Sequence, residues 1–142
     1  MAPRRAALMP FVVDASIASA WLLPDEENVE AEAALSLLEI DDAVVPDLFW
    51  HEMRNILLVA ERKRRIGRED ILACLVRLES LPLRTMFDDD HQTIIRLARK
   101  HQLSGYDAAY LALALKHAVP LATIDAKLKL AAAAEHLQPI SP

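Results

Sequence analysis

Short apolar runs that stop abruptly, each followed by a helical stretch, constrain the fold of this chain more than any other feature. Phe11-Val12-Val13 ends at Asp14, Ala43-Val44-Val45 at Pro46, and Leu121-Ala122-Thr123-Ile124 at Asp125. Runs this short, without apolar–polar alternation, read as strands buried on both faces, as in parallel sheets. Helical patterns are expected over residues 16–23, 25–39, 47–64, 68–81, 88–102 and 107–117, and from Asp125 to about residue 135. In the second, Val29, Ala33, Leu37 and Leu38 are expected inward; the third is expected to be capped by Asp47 and broken by Gly67. The fourth carries Ile71, Leu72, Leu75 and Leu78. Residues 83–87 and 136–140 read as further strands. Strands alternating with helices predict an α/β fold, a three-layer α/β/α sandwich with a mainly parallel central sheet. A chain of 142 residues has room for one such domain, here preceded by a short tail over residues 1–9.

Composition removes several chemistries. Two glycines, Gly67 and Gly105, cannot build a Gly-rich phosphate loop or a dinucleotide fingerprint, which need several positions without a Cβ. A single cysteine, Cys74, excludes an intrachain disulfide and zinc sites built on Cys pairs, and points to the reducing cytosol. No apolar run approaches the roughly 18 residues of a spanning helix. Arg4 and Arg5, an apolar run and Ala18-Ser19-Ala20 imitate a secretory signal, but Pro10 and Asp14 interrupt its apolar region, so a tail followed by a buried strand is expected.

The net charge of −5 gives no global signature for nucleic acid, but the distribution is uneven. Residues 6–53 hold eleven acids and no Lys or Arg, whereas residues 54–68 hold Arg54, Arg62, Lys63, Arg64, Arg65 and Arg68 against Glu61. Such a cluster suits a phosphate backbone, or equally the negative end of a helix dipole.

Ligands in parallel α/β sheets bind beyond the strand C-termini, which directs attention to three aspartates. Asp14 and Asp125 each follow a strand and precede a helix, and Asp107 opens a helix after Gly105; each could be no more than a helix cap. Glu52 breaks that symmetry. On its helix the inward stripe reads Phe49, Glu52, Ile56 and Val59, with Leu48, Met53 and Ala60 alongside, so an acid lies at or beside an apolar seam where no cap is needed. Asn55 is a second polar group near that face. If the four acids meet at one sheet edge, they repel each other until protons or a cation intervene. All-oxygen ligation favours Mg²⁺ or Mn²⁺, and such an ion beside a phosphate implies hydrolysis of a phosphodiester by an activated water.

The residues around these acids resemble a known family. Val12-Val13-Asp14-Ala15-Ser16-Ile17-Ala18 looks like the first motif of PIN-domain ribonucleases, in particular the VapC-type toxins of toxin–antitoxin systems. Trp50-His51-Glu52-Met53-Arg54-Asn55 resembles the second. Leu103-Ser104-Gly105-Tyr106-Asp107-Ala108-Ala109-Tyr110-Leu111-Ala112-Leu113-Ala114 is similar to the third, and Leu121-Ala122-Thr123-Ile124-Asp125-Ala126-Lys127-Leu128 to the fourth. The four motifs occur in order over residues 11–136. The resemblance implies a single PIN domain of Rossmann-like topology and a Mg²⁺- or Mn²⁺-dependent endoribonuclease. It also implies an RNA substrate, a homodimer, and a VapB-type antitoxin packed into a groove. It assigns Asp14, Asp107 and Asp125 to the metal, directly or through water, and Glu52 to the ordering of waters around it. Ser16 and Thr123 become supporting donors and Asn55 an orienting group, while Arg62, Lys63, Arg64, Arg65 and Arg68 become an RNA track.

Other constellations fall away. His51-Glu52-Met53-Arg54-Asn55 lacks the second histidine of a zinc-protease helix. Val13 stands where a phosphoacceptor receiver domain needs an acid. Trp21, Trp50, Tyr106 and Tyr110 read as core or dimer contacts, His51 as a partly exposed helix residue, and Cys74 as inert core. The rival readings are a catalytically silent PIN-like module binding protein or RNA, and a nuclease of the same fold acting on DNA.

Overall fold

The computed structural model describes residues 10–87 and 90–140; the tail, Asp88 and Asp89 lie outside the described residues. The chain runs β1 (Phe11–Val13), α1 (Ala15–Leu22), α2 (Val29–Leu37), β2 (Ala43–Pro46), α3 (Leu48–Arg62), α4 (Asp70–Glu79), β3 (Leu83–Met86), α5 (His91–His101), α6 (Gly105–His117), β4 (Leu121–Ala122) and α7 (Ala126–Ala134). The four strands form one sheet in the order β3-β2-β1-β4, and every pairing is parallel. Val12 lies at its centre, opposite Val44 on one side and Leu121 on the other. The three-layer parallel α/β architecture is the one expected.

The strand order places the site. From β1 the chain steps outward to β2 and β3, then returns to the other side of β1 for β4. The segments leaving β1 and β4 therefore diverge, and the crevice between their C-terminal ends is where such sheets receive ligands. Helix α6 packs across β1, β2 and β4 and carries α5 and α7, while α1 packs on α2 and α3. Small residues Ala108, Ala112 and Ala114 are buried along α6 and let it lie close to the strands.

Several expected details differ. Helix α2 begins only at Val29, behind an Asn28 cap, and buries Ala31 and Ala34, with Leu38 just beyond; Val29 is exposed. Leu37 and Leu38 pack inward as expected, while Ala31 and Ala34 rather than Val29 and Ala33 are the most buried positions of the helix. Asp47 has helical backbone angles and makes no side-chain cap. The buried seam of α3 is Phe49, Met53, Leu57 and Ala60, one residue round from the expected stripe, so Glu52, Ile56 and Val59 line its edge half-buried. Helix α3 ends before Gly67: Arg64 takes the left-handed conformation (φ 58°), and the Arg65 N–H bonds back to the Ala60 carbonyl. On α4 only Leu78 is fully buried, Leu72 is exposed, and Cys74 is half-buried. Asp107 is not the cap of α6; Ser104 is, and Asp107 sits in the first turn. Residues 136–140 form no strand. Leu137 and Ile140 pack on the core without joining the sheet, and Pro139 has no N–H to give a ladder. Among the described residues no helix is long and apolar enough to cross a membrane.

Candidate active site at the β1–β4 crevice

Asp14 leaves the end of β1 and is 5% exposed. Its Oδ1 accepts hydrogen bonds from the Ser16 N–H (3.1 Å), the Ser16 hydroxyl (2.6 Å) and the Ile17 N–H (3.2 Å), capping α1. Its Oδ2 accepts from the Thr123 hydroxyl at 2.5 Å. Thr123 Oγ1 in turn accepts from the Asp125 N–H (3.1 Å), and Ser16 Oγ accepts from the Ile124 N–H (3.0 Å). The chain leaves the β4 ladder after Ala122 to make these bonds, which is why β4 is shorter than its apolar run. Asp125 uses Oδ1 to cap α7 through the Leu128 N–H (2.8 Å). Capping and site-building are thus compatible here: the cap bonds hold carboxylates at the sheet edge.

Glu52 and Asp107 approach from two other helices. Tyr110 donates its phenol O–H to Glu52 Oε1 at 2.7 Å, although its ring is 1% exposed. Asp107 lies one turn before Tyr110 on α6, with its N–H bonded to Ser104 Oγ at 3.0 Å. A cavity of about 390 Å³ is lined by Asp14, Ser16, Ser19, Glu26, Glu52, Ile56, Asp107, Tyr110 and Asp125, so all four predicted acids converge. Burial raises the Asp14 carboxyl above its ordinary value, with Asp107 adding to the rise and Ser16, Thr123 and Ile17 opposing it. Burial likewise raises Glu52, reinforced by Asp107 and Asp14 and opposed by the Tyr110 bond. Asp107 is raised by burial and by Asp125. The Tyr110 phenol is pushed far upward by burial and by Glu52, so it remains a donor.

The other predicted residues divide. Ser16 and Thr123 both donate their hydroxyls to Asp14. Asn55 is exposed and does not line the cavity. Arg62, Lys63, Arg64 and Arg68 are exposed on the α3–α4 turn. Arg65 instead pairs with Asp25 (2.5 Å) and Glu26 (3.0 Å), and through Glu26 it ties that turn to the cavity wall. Sequence reasoning missed Glu26 and gave Tyr110 only a packing role; the available signal was its position three residues after Asp107, on the same helix face.

Among the described residues, no three His, Cys, Asp or Glu side chains form a ready-made metal-holding group. Mg²⁺ does not require one, since it keeps several waters and takes one or two carboxylates. An all-carboxylate set whose members raise one another's proton affinity fits a hydrated hard dication by its donor chemistry.

Acids gathered at the switch point of a parallel sheet define an α/β domain whose chemistry lies in its carboxylates. The chain belongs to the PIN-domain family, whose sequence model matches residues 11–134. It is 35% identical over 129 residues to Ribonuclease VapC3 of Pyrobaculum aerophilum, covering 84% of this chain and 92% of that one. Two crystal structures share the fold. PAE2754 of Pyrobaculum aerophilum has a TM-score of 0.69 at 22% identity, over 89% of this chain and 83% of its own. VapC20 of Mycobacterium tuberculosis, described as a toxin that cleaves the sarcin-ricin loop, has a TM-score of 0.61 at 16% identity, over 93% and 99%.

Proposed function

We propose that this chain is an endoribonuclease of the VapC type, the toxin of a toxin–antitoxin pair, which hydrolyses RNA phosphodiester bonds at the β1–β4 crevice with Mg²⁺ or Mn²⁺. Membership of the PIN family and the relation to Ribonuclease VapC3 support the nuclease activity. The observation that carries the mechanism is the convergence of Asp14, Glu52, Asp107 and Asp125 on one cavity. Glu52 weighs against a silent module, because a mid-helix acid caps nothing, yet it is held at the cavity by Tyr110.

A bound divalent cation would polarise a phosphoryl oxygen and lower the pKa of a water beside it. The chain supplies the rest. Ser16 and Thr123 hold both Asp14 oxygens in fixed directions, so little reorganisation is left when a ligand arrives. Asp107 and Asp125 complete an anionic wall at two helix N-termini. Arg62, Lys63, Arg64 and Arg68, exposed at the end of α3 and on the turn after it, offer phosphate contacts.

The partners under this reading are an RNA, a VapB-type antitoxin and a second copy of the chain. Exposed Leu58, Leu72 and Val76 on α3 and α4, together with Phe87 and Ile95, supply apolar surface for the two protein contacts.

The test is cleavage of a total RNA preparation with Mg²⁺ or Mn²⁺, with EDTA, and by Asp14→Asn and Asp107→Asn. Cleavage is expected with either ion and lost in EDTA and in both variants, which should keep the fold by circular dichroism. Mn²⁺ should raise the thermal midpoint of the wild-type protein. Cleavage that survives EDTA or both substitutions would overturn the assignment.

A further inference from the structure

We infer that Tyr110 is a positioning residue for Glu52, fixing which carboxylate oxygen faces the ligand; this rests on the function proposed above. Glu52 stands on α3, a long flexible side chain at the edge of its helix seam. Tyr110 stands on α6, 58 residues away in sequence. Both helices line the cavity, and the phenol O–H reaches Glu52 Oε1 at 2.7 Å. Everything else about Tyr110 is locked: its ring is 1% exposed within the core, on a helix seated against β1, β2 and β4. Asp107, one turn earlier on the same helix, moves with it.

A buried ring ending in one polar atom needs a partner for that atom. Here the partner is an acid of the site rather than a backbone carbonyl, so the core's rigidity is passed to a residue that would otherwise sample several rotamers. With Oε1 engaged by the phenol, Oε2 is the oxygen left to a cation or its waters. Thr123 likewise holds Asp14 from 109 residues away, so two of the four acids are held by a hydroxyl from a distant element. Tyr110 acts through Glu52, the acid its phenol holds.

Tyr110→Phe removes the O–H and keeps the ring. The variant is expected to lose about 10- to 100-fold in kcat, with the KM for RNA unchanged, and to bind Mn²⁺ more weakly by calorimetry. The thermal midpoint without metal should fall only slightly. On a Glu52→Ala background, which leaves the phenol nothing to hold, the same substitution should change neither kcat nor Mn²⁺ affinity by more than about twofold. Wild-type kcat and Mn²⁺ affinity in Tyr110→Phe would overturn the inference while the proposed function stood. So would an equal loss on both backgrounds, which marks a merely structural role. A wild-type protein that neither binds Mn²⁺ nor cleaves RNA would instead overturn the proposed function, and this inference with it.

Discussion

Glu135 and Glu52 are the same residue in opposite circumstances. Glu135, at the end of α7, accepts hydrogen bonds from Lys100 and His101, both at 2.7 Å, and these two partners hold its carboxyl below the usual glutamate range. Glu52, in the cavity, accepts from a neutral phenol, and burial with Asp107 and Asp14 nearby pushes its carboxyl up. Asp25 repeats the first pattern with Arg65, and Asp14 and Asp107 repeat the second. The ion pairs found among the described residues include none of the four site acids, although Glu26, paired with Arg65, lines the same cavity. Cations hold Glu135 and Asp25 low where they tie elements together, whereas at the cavity burial and mutual repulsion outweigh the opposing groups, Lys127 near Asp107 among them, and leave Asp14, Glu52 and Asp107 raised. In the metal-free protein the second arrangement costs stability, which a cation would recover on binding under the proposed function.

The largest test of that contrast is Glu52→Gln. The amide keeps the Tyr110 bond and the volume but removes the charge. RNA cleavage should fall by about 100-fold or more, while the metal-free thermal midpoint rises by about 1–2 °C. The sign follows from the raised carboxyl: between the ordinary and the folded value the native state binds the extra proton, so stability falls as pH rises through that window, and neutral Gln avoids the loss. A lowered midpoint would break the comparison.

A middle-sized effect is expected from the basic turn. Replacing Arg62, Arg64 and Arg68 together by Gln should raise the KM for RNA several-fold, with kcat unchanged. The salt dependence of that KM should flatten by up to about 0.7 for each phosphate the turn no longer neutralises. An unaltered salt slope would remove the turn from the RNA path.

The smallest effect is Glu135→Gln, the same chemical change as the first. It should cost about 1 kcal/mol near neutral pH, the upper range of partly exposed ion pairs, and leave cleavage within about twofold. A lowered carboxyl contributes stability that is present above the usual glutamate value of 4.5 and lost as pH falls through the folded value, so wild type and variant should converge in acid. Chemical denaturation at pH 7 and pH 3 reads both limbs.

Much of this was legible in the residues themselves. The runs at Phe11, Ala43 and Leu121 marked the strands, and Asp14 marked where β1 ends, because caps and β-branched runs act over a few neighbours, whereas β4 stops at Ala122, short of Asp125. The Glu52 anomaly was visible as an acid beside an apolar seam. The seam itself lies one residue away from where periodicity puts it, since Leu57 and Val59 are equally apolar and only packing against the end of α1 and α4 selects Leu57. The strand expected over residues 136–140 failed for a similar reason: Leu137 and Ile140 do bury apolar surface, but against a helix and the sheet edge rather than in a ladder.

What the sequence determined alone was the inventory, namely four acids in family motifs at the ends of strands and on helices, because local patterns depend on local geometry. Only the tertiary structure decided which carboxylates acquire cations and which acquire hydroxyls. Thr123 meets Asp14 across 109 residues, and Tyr110 meets Glu52 across 58. A carboxyl's proton affinity depends on distance through space and on burial, and neither is written along the chain.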